Sequence, residues 1–121
     1  MTNSGPLSVV KEGNVTVVTF GSGQRHLSEI GLEAIQTQLV GVAETARPPR
    51  LVLDMAATEF FGSSFIEVLF KVWRELNTQP DAKFAISGLQ DHCREVLEIT
   101  NLYKLWPIFV TRSEAVAATS V

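Results

Sequence analysis

Short apolar runs alternate with amphipathic stretches along most of this chain. Residues 7–11 and 15–20 are valine-rich runs, which predict two strands. The Glu12-Gly13-Asn14 segment between them predicts a tight hairpin turn, because Gly and Asn can both take positive φ. Leu51, Val52 and Leu53 form an apolar run that stops at Asp54, which is typical of a strand in a sheet covered on both faces.

Two amphipathic helices are predicted before and after that buried strand. We expect Ser28 to cap the first, and residues 47–50, with two prolines, to end it. The second is expected over residues 64–77, opened by a capping box of Ser64 and Glu67. The apolar residues at helical spacing are Leu32, Ile35, Leu39, Val42 and Ala43 in the first helix, and Ile66, Leu69, Val72, Trp73 and Leu76 in the second.

The C-terminal third repeats the alternation. Residues 83–87 predict a strand, and Gly88 precedes a helix that Asn101 ends in the left-handed conformation. A last strand is expected over residues 106–110, and Thr111 with Glu114 predicts a capping box that opens a final helix through Ala118. Alternating strands and helices indicate an α/β layer fold.

Composition narrows the class of protein. The 121 residues suit one domain, and 45% hydrophobic residues are enough for a core. The net charge is −3 with no basic block, so we expect neither direct nucleic-acid binding nor attraction to anionic membranes. No stretch is apolar enough to span a bilayer and no signal peptide is recognisable, which predicts a cytosolic protein. Cys93 is predicted to be a small core residue.

Ser63 and Ser64 stand where the second helix begins. Backbone N–H groups at a helix start lack partners inside the helix, and the helix dipole is positive there. The two serines therefore have two interpretations, an ordinary cap or a site of phosphorylation. Phe60, Phe61 and Phe65 flank them, and any that stay exposed would form an apolar patch suited to a protein partner.

Other chemistries find little support in the sequence. Ile66 occupies the position of the second Gly of a G-x-S-x-G hydrolase motif, and His26 occupies the third glycine position of G-x-G-x-x-G. One cysteine and two separated histidines do not predict a zinc site. We therefore expect no catalytic residues, no metal and no cofactor.

The segment from the buried strand to the second helix resembles the signature of the STAS domain (sulphate transporter and anti-sigma-factor antagonist). The family pattern is Asp-Ser-Ser-Gly-Leu, and here it is Gly62-Ser63-Ser64-Phe65-Ile66. The order of elements is similar over about residues 7–118, within a single domain of residues 1–121. The resemblance implies an α/β, STAS-like fold with a mixed β-sheet begun by the N-terminal hairpin and helices packed mainly on one side.

The same resemblance implies a non-enzymatic signalling module of the anti-sigma-factor antagonist type. Its expected partners are an anti-sigma factor, which is a serine kinase related to histidine-kinase ATPases, and a serine phosphatase. Phosphorylation would release the complex by adding charge at the interface. Ser63 is the expected acceptor and Ser64 the alternative. The expected partner-binding residues are Gly62, Ser63, Ser64, Phe65 and Phe61, with Gln24 and Arg25 from the loop before the first helix.

Two alternatives remain open from the sequence. A STAS-like scaffold without phosphorylation could serve a sensing complex or a lipid-transport system, which the loss of the motif aspartate and glycine favours. A domain that binds a small molecule or nucleotide rests on analogy of fold alone.

Overall fold

A computed structural model describes residues 5–27 and 31–120 of the chain. Its helices and strands follow the predicted alternation, with two short strands in addition. The elements are β1 (Ser8–Glu12), β2 (Val15–Thr19), β3 (His26–Leu27), α1 (Leu32–Thr45), β4 (Arg50–Asp54), β5 (Phe60–Phe61), α2 (Ser63–Leu76), β6 (Lys83–Ser87), α3 (Asp91–Ile99), β7 (Ile108–Phe109) and α4 (Arg112–Thr119).

Five strands form one mixed sheet in the order β1-β2-β4-β6-β7. β1 and β2 are the antiparallel hairpin, and Gly13 in its turn has φ of 64°, as the sequence predicts. The remaining neighbours are parallel. β3 and β5 pair separately as a two-stranded parallel sheet, which the sequence did not predict.

The alternation of side chains along the central strands divides the core in two. In β4, Leu51 and Leu53 pack in the larger cluster together with residues of α1, α2 and α3. Val52 points to the opposite face and packs with Ala115 of α4. The sheet is therefore covered on both faces at its centre, with three helices on one side and α4 on the other. The predicted packing mainly on one side is confirmed.

The last strand is shorter than predicted. Only Ile108 and Phe109 are strand residues, whereas residues 106–110 were expected. Trp106 is instead fully buried, with its ring 5.0 Å from Phe70 and 6.1 Å from Phe84. Pro107 next to it has no N–H to donate, so the pairing of β7 with β6 cannot extend back to residue 106. The Trp106 side chain is buried in the core there.

Helix ends in the C-terminal half agree with the sequence. Asn101, two residues after the end of α3, has φ of 61°, and Thr111 caps α4 in the predicted capping box with Glu114. α1 begins at Leu32 after Gly31, whose φ is 79°. The predicted cap, Ser28, lies outside the described residues.

Arg112, the first residue of α4, joins that helix to three strands of the sheet. Its Nε and Nη2 donate to Oε2 of Glu12, at 2.8 and 2.6 Å. Its Nη1 donates to Oγ1 of Thr19 at 3.2 Å and to Oδ2 of Asp54 at 3.4 Å. A cation at a helix start opposes the dipole, so the two carboxylates supply the compensating charge.

Candidate functional site

The loop before α1 lies directly against the segment that leads into α2. Four hydrogen bonds hold the two together, and they include the contacts of the β3–β5 pair. With the donor first, they are Thr58 Oγ1 to Gln24 O (3.1 Å), Glu59 N and Phe60 N to Arg25 O (2.8 and 3.1 Å), and Gly62 N to Leu27 O (3.4 Å). The two segments are more than thirty residues apart in the sequence, and these bonds hold them side by side at the start of α2.

The start of α2 differs from the prediction by one residue. The helix begins at Ser63, and Gly62 is its N-cap in an extended conformation, with φ of −108° and ψ of −172°. No side chain caps the helix, so the predicted capping box of Ser64 and Glu67 is wrong. The reason is geometric. An N-cap residue must be extended, and Ser64 is already inside the helix.

Ser63 is exposed, and Ser64 beside it is partly buried. As the first residue of α2, Ser63 lies where the helix dipole is positive and backbone N–H groups point outwards. This environment favours an anionic group on the hydroxyl, since both the dipole and the N–H donors stabilise negative charge. Of the two candidate serines, Ser63 is the more accessible.

Phe61 and Phe65 are core residues. They are 1% and 0% exposed, and their rings lie 5.3 Å apart. Phe65 also contacts Phe20 edge-on at 5.8 Å. They were expected among the partner-binding residues, and their burial leaves neither side chain available for direct contact with a partner. In β5 successive side chains alternate, which turns Phe61 inwards, and Phe65 belongs to the buried face of α2.

Phe60 is the phenylalanine of this segment that is exposed, with 43% of its surface accessible. Its ring stacks on His92 of α3 at 5.4 Å and an interplanar angle of 23°. On the neighbouring strand, His26 Nε2 lies 3.3 Å from Oε1 of Glu59. We call these four side chains the Phe60 surface.

Gln24 and Arg25 have different environments. Gln24 is buried, and its Oε1 accepts a hydrogen bond of 2.7 Å from the backbone N–H of Gly21. Its side chain therefore shapes the loop and is not available for a partner, which corrects the sequence prediction. Arg25 is exposed, while its backbone oxygen accepts two of the hydrogen bonds that hold the loop.

Cys93 lies beneath this junction, where its Sγ donates to the backbone oxygen of Thr58 at 3.8 Å. Burial raises the pKa of the thiol to about 11, and a hydrogen bond from the backbone of Phe61 offsets part of that rise. The thiol is therefore neutral near pH 7 and a poor nucleophile. The prediction of a small core residue is confirmed.

Within residues 5–27 and 31–120, no group of three His, Cys, Asp or Glu side chains is placed to hold a metal ion. The same part of the chain contains no helix long and apolar enough to cross a membrane.

Comparison with known proteins identifies the family. The sequence model of the STAS domain matches residues 8–115. The chain belongs to the STAS domain family. The resemblance seen in the Gly62–Ile66 motif and in the order of elements is thus confirmed over most of the chain.

Two solved structures with this fold are anti-sigma-factor antagonists. A STAS domain protein from Planctomyces limnophilus is 32% identical, with a TM-score of 0.89 over 95% of this chain and 98% of that one. An anti-sigma factor antagonist from Mycobacterium paratuberculosis is 25% identical, with a TM-score of 0.80 over 95% of this chain and 93% of that one.

A curated relative carries the same name. BtrV of Bordetella bronchiseptica, named as an anti-sigma factor antagonist, is 30% identical over 69 residues. The matched region is 57% of this chain and 59% of BtrV, so the chain spans about three fifths of that relative's length.

Proposed function

We propose that this chain is an anti-sigma-factor antagonist of the bacterial cytoplasm that is switched by phosphorylation of Ser63. In the unphosphorylated state it binds an anti-sigma factor of the histidine-kinase-ATPase type, which frees a sigma factor for transcription. The anti-sigma factor phosphorylates Ser63, which releases the complex, and a serine phosphatase reverses the modification. The chain itself has no catalytic role.

One observation carries the proposal. Ser63 presents an exposed hydroxyl at the first residue of α2, and it occupies the acceptor position of the family pattern in a chain that belongs to the family. A phosphate there would gain from the helix dipole without disturbing the core. It would also add close to two negative charges three residues along the chain from the exposed Phe60, and the cost of desolvating them opposes a bound partner.

The Phe60 surface is the apolar part of the proposed interface. Phe60 lies three residues before Ser63, and its ring is stacked on His92, so an aromatic contact is already held in place before a partner arrives. Gly62 and Ser64, both partly accessible, follow it in the chain, and exposed Arg25 is hydrogen-bonded to its backbone, so we assign all three to the interface. The side chains of Phe61 and Phe65 support this edge from below and do not contact the partner.

The decisive experiment is phosphate transfer from Mg-ATP by the cognate anti-sigma kinase. Wild-type protein should incorporate label, and Ser63→Ala should abolish it. Ser113→Ala is the matched control, because Ser113 is also an exposed serine in the first turn of a helix, α4. Label that persists in Ser63→Ala and vanishes in Ser64→Ala would assign the acceptor to Ser64.

Binding of the same kinase tests the interface separately. Phe60→Ala should weaken the complex by more than about 1 kcal/mol, the level that marks an energetically important interface residue. Val10→Ala is the control, because Val10 is similarly exposed, at 41%, on β1. Calorimetry with each variant gives the two affinities. Equal losses in both variants would place the interface elsewhere.

Gly62 favours a second candidate, a STAS scaffold that is not phosphorylated. The family pattern has an aspartate at this position, whereas here the N-cap of α2 has no side chain. A chain that is labelled by no cognate kinase, but that copurifies with a sensing complex or a lipid-transport ATPase, would support this candidate over the first.

A further inference from the structure

The outer edge of β7 has backbone groups available for another strand. β7 is at the end of the sheet and pairs only with β6. The oxygens of Pro107 and Phe109 accept hydrogen bonds from the N–H groups of Ile86 (3.0 Å) and Gly88 (3.1 Å). Alternate residues of a parallel strand direct their backbone groups to the same neighbour. Ile108, between them, therefore directs its N–H and C=O away from the sheet.

Exposed apolar side chains are concentrated in the part of the sequence that contains β7. Among the described residues, six large apolar side chains are at least 41% exposed, and four of them fall between residues 99 and 110. Tyr103 and Val110 line a groove of about 830 Å³ beside β7, together with Leu89 and Ile108. A groove of this kind next to a free strand edge is typical of an interaction surface. The four side chains are Ile99 (74%), Tyr103 (45%), Leu105 (44%) and Val110 (77%).

The groove carries both a positive and a negative side chain, so the grooves of two copies can be complementary in charge. Arg94 and Glu98 lie one turn apart on α3 and both line the groove. Arg94 donates to Asp91 at 2.8 Å, but Asp91 is 95% exposed, and such a surface pair holds the arginine only weakly. In an interface with two-fold symmetry, each copy presents the same surface to the other, so the arginine of one copy can face the glutamate of its partner.

We propose that β7 is the interface of a homodimer in which two copies pair edge to edge, antiparallel, about a two-fold axis at Ile108. The Ile108 N–H of each copy donates to the Ile108 C=O of the other, and the two five-stranded sheets join into one. Val110 and Tyr103 become buried against the second copy. This inference is independent of the proposed phosphorylation of Ser63.

The opposite edge of the sheet, β1, is less suited to the same role. β1 carries Lys11 and Glu12, and charged side chains protect an edge from pairing. Lys11 Nζ also donates to the backbone oxygen of Arg47 at 3.1 Å, which ties β1 to the chain that enters β4. β1 can therefore serve as the control edge when pairing through β7 is tested.

Sedimentation velocity over a range of concentrations is the first test. The wild-type protein should form dimers, and Val110→Lys should weaken the association about tenfold or more, because a lysine at this edge would have to be desolvated. Val10→Lys on β1 is the control and should leave the association unchanged. Circular dichroism checks that both variants fold. A wild-type protein that stays monomeric up to about 1 mM overturns the proposal, as does an equal loss in both variants.

Charge reversal and cross-linking test the arrangement itself. Arg94→Glu and Glu98→Lys should each weaken the dimer, and the double variant should restore it. Ile108→Cys should form an intermolecular disulfide on mild oxidation, because directly paired antiparallel residues have Cα atoms about 5.5 Å apart. The buried Cys93 should not compete. Failure of the double variant to recover, together with no cross-link at residue 108, would overturn the two-fold pairing.

Discussion

Two helix starts in this protein are built in opposite ways. At α4, side chains fix the first turn. Thr111 Oγ1 accepts from the N–H of Glu114 at 3.1 Å, Glu114 Oε1 accepts from the N–H of Thr111 at 3.4 Å, and Arg112 binds the carboxylates of Glu12 and Asp54. At α2 the N-cap is Gly62 and no side chain caps the helix. Phe65, which is fully buried, anchors the first turn of α2 to the core.

The difference separates a structural junction from a candidate switch. At α4 the Thr111 side chain already accepts a backbone N–H of the first turn, and Arg112 already holds two carboxylates there, so part of the attraction of this helix start for an anion is already met. α2 keeps the positive end of its dipole beside an exposed serine. A site that must gain and lose a phosphate benefits from this arrangement, because its stability depends on the core below it and not on the groups that react.

The largest expected effect is the loss of the core anchor of α2. Phe65→Ala should lower the free energy of unfolding by about 3–5 kcal/mol, because it leaves a cavity between Phe20 and Phe61. Urea denaturation measures this loss. Phe60→Ala, three residues before the start of the same helix and 43% exposed, should cost about 1 kcal/mol or less. Similar losses in the two variants would contradict a first turn held by burial.

A smaller effect is expected at the capped helix. Thr111→Ala should destabilise the protein by about 1 kcal/mol, because it removes the oxygen that accepts the N–H of Glu114. Thr111→Ser keeps that oxygen and serves as the control in the same denaturation series. If the serine variant loses as much stability as the alanine variant, the methyl group and not the capping hydrogen bond is responsible.

The sequence predicts the layers better than the junctions between them. Apolar runs locate β1, β2, β4 and β6, since each such run must be buried on at least one face. The β3–β5 pair was missed because its two-residue strands are set by backbone bonds between Leu27 and Gly62, which no local pattern encodes. The Arg112 cluster was missed for the same reason, as it joins residues 58 to 100 positions apart.

The candidate site shows the same division. The motif located Ser63 near a helix start, and α2 begins at this residue, one position earlier than predicted. The direction of the neighbouring rings was not predictable, because it depends on whether residues 60–61 form a strand and on where the helix starts. Moving the helix start by a single residue changes which side chains of the first turn face the core. Phe61 and Phe65 were expected among the partner-binding residues, although both are buried.

The smallest expected effect is a gain, from giving α2 the side-chain cap that it lacks. Gly62→Asp should stabilise the protein by about 0.5 kcal/mol, because aspartate is a better N-cap than glycine and its charge complements the dipole. The position accepts the change. Its φ is negative, and a Cβ placed there meets no atom within 4 Å. Denaturation of Gly62→Asp and Gly62→Ala at neutral pH measures the gain.

The pH dependence of that gain identifies its cause. The helix start should lower the pKa of the new carboxyl in the folded state, so the added stability is present above the unfolded pKa of about 4 and disappears as pH falls through the folded value. Gly62→Ala has no carboxyl and should show no such dependence. A gain that persists at low pH would point to reduced backbone freedom in place of capping.

Labelling of Gly62→Asp by the kinase then separates the two roles of the family aspartate. If that residue only caps the helix, incorporation at Ser63 stays at the wild-type rate; if it also contacts the kinase, the rate rises.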